Sequence, residues 1–154
     1  MIVNGPSLLA AAPLSPMLDH KARSGGVTHG LTESGYDIRI AQSVTLFLGR
    51  RFVLASSIER FQVPNWLRGR VENKSTWARH GVDASMTTNV EPGWNGYLTI
   101  ELRYAKAWPL HIPAGAGIAT MIFEEVQHPA QYVGRYQDQP DRPVAAKAIK
   151  EDAV

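Results

Sequence analysis

One carboxylate in this chain has a setting that suits proton transfer. Glu101 lies in Tyr97-Leu98-Thr99-Ile100-Glu101-Leu102-Arg103, a strictly alternating run. Leu98, Ile100 and Leu102 share one face; Tyr97, Thr99, Glu101 and Arg103 share the other. A mid-strand glutamate sits on a rigid element, as general acid–base work requires. The same pattern also describes a solvated strand residue. Upstream, Glu91-Pro92-Gly93-Trp94-Asn95-Gly96 carries two turn dipeptides and predicts a tight reversal over residues 92–96, leading into that strand. A second group of polar side chains falls in Lys74-Ser75-Thr76-Trp77-Ala78-Arg79-His80-Gly81. Ser75 as N-cap and Gly81 as C′ residue predict a helix of barely more than a turn. Its N–H groups, the hydroxyls of Ser75 and Thr76, the Lys74 ammonium and Arg79, four residues after Ser75, form a candidate anion site. The competing reading is a capped surface turn with incidental charges.

The elements that must hold these groups are mostly strands. Tyr36–Ile40, Ser43–Leu48, Arg51–Leu54, Phe61–Val63, Leu67–Val71, Tyr97–Tyr104, Pro109–Ile112 and Ile118–Phe123 read as short strands. Gly49, Pro64-Asn65 and Gly115-Ala116-Gly117 punctuate them. Many short strands with glycine and proline turns predict an all-β barrel or jelly roll. Residues 1–30 show little periodicity and are expected to be irregular, with at most one short helix around Met17–Arg23. From Val126 onward the composition shifts to Gln, Pro, Arg and Asp, which predicts a mobile tail over 126–154 rather than a second domain. The expectation is a single domain spanning 1–154.

Composition narrows the chemistry. Hydrophobic residues make up 44% and charged residues 19% of 154, the profile of an ordinary globular protein. No run of about 18 apolar residues occurs, so no membrane partner is expected. Cysteine is absent, which removes disulfides, thiolate nucleophiles and cysteine–zinc sites and fits a cytoplasmic location. The net charge is +2 with no basic run, which argues against a nucleic-acid polymer as partner. Arginine outnumbers lysine, which leaves room for small phosphorylated ligands gripped by guanidinium forks. His20, His29, His80, His111 and His128 have no ligand spacing, and no metal site is expected from them.

Five segments, in order, resemble the dCTP deaminases of the trimeric dUTPase-like superfamily. Lys74-Ser75-Thr76-Trp77-Ala78-Arg79 is similar to that family's Arg-Ser-Ser-x-Ala-Arg motif. The spacing on to Pro92-Gly93-Trp94-x-Gly96 and then Glu101 matches as well. Gly35-Tyr36-Asp37-Ile38-Arg39 resembles the early Gly-x-x-Asp-x-Arg strand, and Gly115-Ala116-Gly117-Ile118-Ala119 a later Gly-x-x-Ile-Ala/Gly segment. Arg135-Tyr136-Gln137-Asp138-Gln139 resembles the Lys-Tyr-x-x-Gln stretch that closes over the nucleotide. The likeness covers roughly residues 31–149. It implies a distorted dUTPase-like β-barrel with one short helix and a mobile C-terminal lid, assembled as a homotrimer with sites shared between subunits. It further implies a deoxycytidine nucleotide as ligand, bound with Mg²⁺, and deamination without zinc. By the same resemblance Glu101 takes the catalytic place, and Lys74, Ser75, Thr76 and Arg79 fall at triphosphate and active-site positions. Thr87 and Thr88 fall in the pyrimidine pocket, Glu91 and Trp94 at its turn, and Arg135, Tyr136 and Gln139 at the tail contacts to phosphate and sugar. Trp66, Trp77 and Trp108 are expected in the core or at the trimer contact. Asp37 is expected to order the early strands rather than perform chemistry.

The chemistry is consistent with these residues. Zinc deaminases need a Cys-x-x-Cys pair, which this chain lacks. A buried carboxylate alone can carry a proton from water to the pyrimidine N3 and then to the departing ammonia, provided burial raises its pKa. The chain also departs from the family pattern. Lys74 offers a point charge where the family has an arginine fork. Glu91 replaces an aspartate, Thr87 and Thr88 replace pocket-lining residues, and the segment between 40 and 60 is short. Three functions therefore stand at this stage: a dCTP deaminase, a dUTP diphosphatase or bifunctional enzyme, and a non-catalytic nucleotide-binding regulator on the same scaffold.

Overall fold

A computed structural model describes residues 1–149 of the chain. In chain order the elements are β1 (Ile2–Val3), α1 (Gly5–Ala11), β2 (Leu14–Ser15), β3 (Lys21–Ser24), β4 (Val27–Leu31), β5 (Tyr36–Arg39), β6 (Val44–Leu46) and β7 (Phe52–Gln62). They continue with β8 (Leu67–Asn73), α2 (Ser75–Arg79), β9 (Val82–Asp83), a 3₁₀ turn (Ser85–Thr87), β10 (Asn89–Val90), β11 (Asn95–Tyr104), β12 (Leu110–Ile112) and β13 (Gly117–Glu125). One sheet runs β10-β8-β13-β5-β4-β3 with β1 added to β13, a second runs β2-β7-β11-β9, and β12 pairs with β6. The pairings between these strands are antiparallel. The sheets curl around one apolar core in which Tyr36, Phe61, Phe123, Ile38, Ile100, Leu102 and Ile118 are fully buried. Among the described residues no helix is long and apolar enough to cross a membrane.

The expectation of an irregular N-terminal segment is overturned. Residues 1–30 hold α1 and four strands, and the stretch expected to be helical around Met17–Arg23 instead enters β3. The reason is the Gly25-Gly26 dipeptide. Both glycines have positive φ, +55° and +77°, and Ser24 pairs with Val27, so the two residues form the tight turn whose twist suits a hairpin. A second helix, α1, joins the single one expected; it starts on Gly5-Pro6, where a missing N–H costs nothing. Two strand segments expected separately, Arg51–Leu54 and Phe61–Val63, belong to the one 11-residue strand β7.

β7 and β11 form the rigid floor on which Glu101 sits. Their register breaks once: Tyr97 opposes Arg60 but Thr99 opposes Ser56, so Ser57, Ile58 and Glu59 stand opposite Leu98 alone. The Leu98 N–H, which loses its ladder partner there, donates to the buried Ser57 hydroxyl at 2.9 Å. The bulge also turns Glu59 fully inward, where its carboxylate takes the Arg39 backbone N–H at 2.9 Å and the Arg39 Nε at 2.7 Å. A second buried pair joins Lys74 to Asp37, whose other oxygen accepts from the Thr120 hydroxyl at 2.6 Å. Asp37 thus orders the strands β5 and β13 and holds the residue that enters α2.

Trp77 is buried and donates its indole N–H to the Gly117 carbonyl at 2.6 Å. Trp66 and Trp108 are exposed, so in this chain neither is a core residue. Helix α2 has Gly81, with φ of +90°, directly after its C-cap His80, the C′ place expected, but its N-cap is Lys74 rather than Ser75, and no side chain caps it. The Lys74 ammonium is drawn toward Asp37, and Ser75 takes the first helical position instead of the half-turn before it.

Candidate active site

A cavity of about 540 Å³ opens between β7, β11, the 3₁₀ turn and the C-terminal segment. Glu101 lines it from β11, half-buried. Its backbone N–H donates to the Thr87 hydroxyl at 2.9 Å, which ties the strand to the 3₁₀ turn and fixes where the carboxylate starts. Burial pushes the Glu101 carboxyl above the ordinary glutamate range: Leu54, Leu98 and Phe52 give the cavity an apolar wall, and among the described residues no cation lines it. A carboxyl with raised proton affinity beside an apolar wall is suited to take up and release protons as acid and base.

This burial has a measurable cost. A carboxyl whose folded-state pKa is raised is disfavoured when ionised, so Glu101 destabilises the fold at pH values above that raised pKa. The penalty vanishes below the unfolded value, where the group is protonated in both states. Glu101→Gln is therefore expected to melt at a higher temperature than the parent at pH 7, with the gap closing as the pH falls toward 4. Equal melting offsets at both pH values in thermal denaturation would refute the burial effect.

The Pro92-Gly93 turn closes the near end of the cavity. The Trp94 N–H donates to the Glu91 carbonyl at 3.1 Å, and Trp94 packs edge-on to Phe61 with ring centroids 5.7 Å apart. Its indole N–H reaches the Tyr136 carbonyl at 2.7 Å, so the buried tryptophan anchors the C-terminal segment from below. Gln139 adds a parallel bridge to Gly96, its carbonyl accepts the Tyr97 N–H at 3.0 Å, and its side-chain oxygen accepts the Thr99 hydroxyl at 2.8 Å. The Val144 N–H donates back to that Thr99 oxygen at 3.0 Å. The segment read as a tail is therefore laced along the start of β11, with Tyr132, Tyr136, Gln139, Val144 and Ala146 roofing the cavity. Residues 150–154 of that expected tail lie outside the described residues.

Gly96 makes the roof possible. A Cβ there would lie 2.5 Å from the Gln139 backbone nitrogen, and its φ of +131° suits glycine. Gly96→Ala is expected to lift the segment while the barrel stays folded. Strain of about 1–3 kcal/mol at such a position translates into cleavage near Arg135–Arg142 faster by about tenfold or more in limited proteolysis. Parent-like cleavage would mean that the roof does not depend on this contact.

The remaining sequence-derived residues fall into two groups. Thr87, Glu91, Trp94, Tyr136 and Gln139 join Glu101 around the cavity, Glu91 being exposed at its edge. Thr88 adjoins it with φ at +65°, unusual for a β-branched residue, and its carbonyl accepts the Val71 N–H at 2.9 Å. Ser75, Thr76 and Arg79 are exposed on α2 and do not line this chain's own cavity. Lys74 does not either: its ammonium is held by Asp37 and by the Thr28 hydroxyl at 3.2 Å. Arg135 points away, donating to the Ala148 carbonyl at 3.2 Å. Sequence reading missed Asn89, Thr99, Tyr132 and the apolar wall of Phe52 and Leu54. Thr99 was within reach, since it shares the alternating face of Glu101. Leu54 and Phe52 were not, because only the register shows that they oppose Glu101 and Arg103.

Comparison with known proteins agrees with this architecture. Among curated proteins, a dCTP deaminase from Herpetosiphon aurantiacus is 34% identical, with 73% of this chain and 76% of the relative covered. A dCTP deaminase from Chloroflexus aggregans is 30% identical over 82% of this chain and 85% of its own. Among solved structures, the 2′-deoxycytidine 5′-triphosphate deaminase from Agrobacterium tumefaciens superposes with a TM-score of 0.61 at 14% identity, covering 82% of this chain. The chain spans about half of that protein, 48% of its length. The dUTPase of phage phi11 of S. aureus superposes with a TM-score of 0.55 at 14% identity, covering 79% of this chain and 94% of its own. These two likenesses identify the dUTPase-like fold. A family model described as dCTP deaminase-like matches residues 33–126, which is more than half of the sequence and includes β5, α2 and Glu101 on β11; the chain belongs to the dCTP deaminase-like family.

Proposed function

We propose that this protein deaminates dCTP to dUTP and ammonia in pyrimidine deoxynucleotide metabolism, in the cytoplasm, with Glu101 as the proton-carrying group. The observation that carries the reading is a half-buried carboxylate raised above its ordinary pKa on a rigid strand, in a cavity with an apolar wall. With cytosine against Phe52 and Leu54, ionised Glu101 takes a proton from water as the hydroxide adds to C4, and passes it to N3. The tetrahedral adduct then collapses: the hydroxyl proton moves through Glu101 to the exocyclic amine, the C4–N bond breaks, and ammonia leaves. Glu101 ends ionised, ready for the next turn. The route uses no zinc, in keeping with a sequence that has no cysteine.

Binding divides among the other residues. Thr87, Thr88 and Asn89 line or adjoin the base end, and Glu91, Trp94, Tyr136 and Gln139 frame the sugar end. Exposed Glu91, whose carboxylate offers hard oxygen donors, would help hold a Mg²⁺ ion carried on the nucleotide's phosphates, and that ion would supply charge neutralisation there. Ser75, Thr76 and Arg79 are proposed to serve the site of a neighbouring subunit in a homotrimer, because they lie outside their own cavity. Arg135 would swing to the phosphates when nucleotide binds. Light scattering of the active protein is expected to give three times the 17.0 kDa chain mass, and an active monomer would exclude the shared site.

The test is to supply dCTP and dUTP separately and to measure ammonia and pyrophosphate independently. Ammonia from dCTP with no pyrophosphate from either substrate is the expected result. Pyrophosphate from dUTP would assign diphosphatase chemistry to the cavity, and binding with neither product would leave a nucleotide-binding regulator.

A further inference from the structure

The far end of the C-terminal segment makes contacts that the reaction above does not use. After Gln139 bridges to Gly96, the backbone reverses over residues 140–142, where the Arg142 N–H donates to the Pro140 carbonyl at 2.7 Å. Residues 144–148 then double back over residues 135–139. The Val144 N–H donates to the Thr99 hydroxyl at 3.0 Å. The Lys147 N–H donates to the Tyr136 hydroxyl at 3.1 Å. The Lys147 ammonium donates to the Arg135 carbonyl and lies 5.3 Å from the centre of the Tyr136 ring. The Ala148 carbonyl accepts from the Arg135 guanidinium at 3.2 Å. Val144 and Ala146 line the Glu101 cavity.

These contacts occupy the groups that a ligand needs. Arg135, assigned above to the phosphates, is tied to Ala148, and Tyr136, assigned to the sugar end, is tied to Lys147. Thr99 stands two residues before Glu101 on the same face of β11; its hydroxyl gives its one hydrogen to Gln139 and accepts from Val144. The two halves of the segment are anchored differently. Residues 136–139 are held by the barrel: the Trp94 indole donates to the Tyr136 carbonyl at 2.7 Å, the Tyr97 N–H to the Gln139 carbonyl at 3.0 Å, and the Asp138 N–H to the Asn95 carbonyl at 3.0 Å. Among the described residues, 144–148 hydrogen-bond to the barrel only through Thr99, and their other hydrogen bonds go to Arg135 and Tyr136. Such bonds at a surface are individually weak, and a competing ligand can replace them.

We propose that residues 144–148 are an autoinhibitory strap. Without ligand they cover one side of the Glu101 cavity and hold Thr99, Tyr136 and Arg135; the nucleotide enters by displacing them, while residues 136–139 stay on β11. The proposal rests on the nucleotide reading of the cavity. It divides the C-terminal segment into a part that serves the ligand and a part that competes with it. Arg135 is held by a neutral carbonyl, so a charged phosphate oxygen is the stronger acceptor and takes it over. A nucleoside without phosphates has nothing to offer Arg135 and is left to compete with the closed strap.

Hydrogen exchange of the full chain, followed amide by amide with and without saturating dCTP and Mg²⁺, is the direct test. In the ligand-free protein the Val144 and Lys147 amides are expected to be protected. Saturation should speed both by about fivefold or more, the worth of one such bond, while the Tyr97 and Asp138 amides keep their protection. A lid that closes on its ligand gives the opposite sign. Val144→Pro/Lys147→Pro in the full chain removes both N–H donors. Both residues lie in an irregular stretch outside the core, so unchanged thermal melting is the control for folding. This variant is expected to bind dCTP at least about fivefold more tightly by calorimetry. Slower exchange of the two amides with dCTP, no protection of them without it, or equal or weaker binding by the variant overturns the proposal. If dCTP binds and speeds both amides but no ammonia is released, the deaminase reading falls and the strap stands. If ammonia is released while both amides slow, the strap falls and the deaminase reading stands. Failure of parent and variant alike to bind dCTP overturns both.

Discussion

Glu101→Gln is expected to lower the turnover of dCTP by at least about 100-fold, the usual scale of a general acid–base contribution. The substitution keeps the size and the hydrogen-bonding reach of the side chain and removes only the proton it carries. Among the described residues the only other carboxylate lining the cavity is Glu91, which is exposed beside the Pro92-Gly93 turn and lacks the burial of Glu101. The cavity walls, the Thr87 tether to the backbone N–H and the roof over β11 are all untouched by the change. Nucleotide affinity should therefore stay within a few fold, and the loss should fall on kcat rather than KM. Measuring kcat, KM and calorimetric dCTP binding on the same preparation separates the two. Near-normal deamination by the variant would remove Glu101 from the role assigned to it.

Asp37→Ala carries the largest expected effect on stability. Asp37 and Lys74 are 7% and 10% exposed in their side chains, so removing the carboxylate strands a buried ammonium with only the Thr28 hydroxyl as partner. Breaking one side of such a pair costs about 3–5 kcal/mol. The site feels it as well, because Lys74 is the residue on which α2 begins, and Ser75, Thr76 and Arg79 follow directly. Urea unfolding of Asp37→Ala and of the double variant Asp37→Leu/Lys74→Met checks the cause. The single variant should lose several kcal/mol, and the double variant should recover much of it by replacing the pair with apolar contacts. A cost below about 1 kcal/mol for the single variant would show that the pair is not desolvated as the geometry implies.

What could be read in advance followed from local periodicity. The two-residue alternation of Tyr97–Arg103 put Glu101 on the correct face of β11, and the Pro92-Gly93 and Gly81 signals located the turn and the end of α2. Features that depend on strands meeting across the barrel were not legible. The bulge of β7 against Leu98, the placement of Phe52 and Leu54 opposite Arg103 and Glu101, and the capture of Lys74 by Asp37 all need the register. Lys74 illustrates the limit: in sequence it stands beside the helix hydroxyls and looks like part of their anion site, whereas a residue 37 positions upstream claims its charge. The contacts of the C-terminal segment were illegible for a related reason. Its polar composition predicts solvation, yet Gln137 and Gln139 spend their amides on Gly93, Asn95 and Thr99. The hairpin of β3 and β4 is a different case, since Gly25-Gly26 is a local signal that the surrounding polar residues masked.

The most direct measurement of the central claim is ammonia release from dCTP by the purified protein, with Mg²⁺ supplied and a zinc-selective chelator present throughout. Ammonia and dUTP appearing in equal amounts, at a rate unaffected by the chelator, is the predicted result. A protein that binds dCTP but releases no ammonia, or that does so only when zinc is restored, would contradict it.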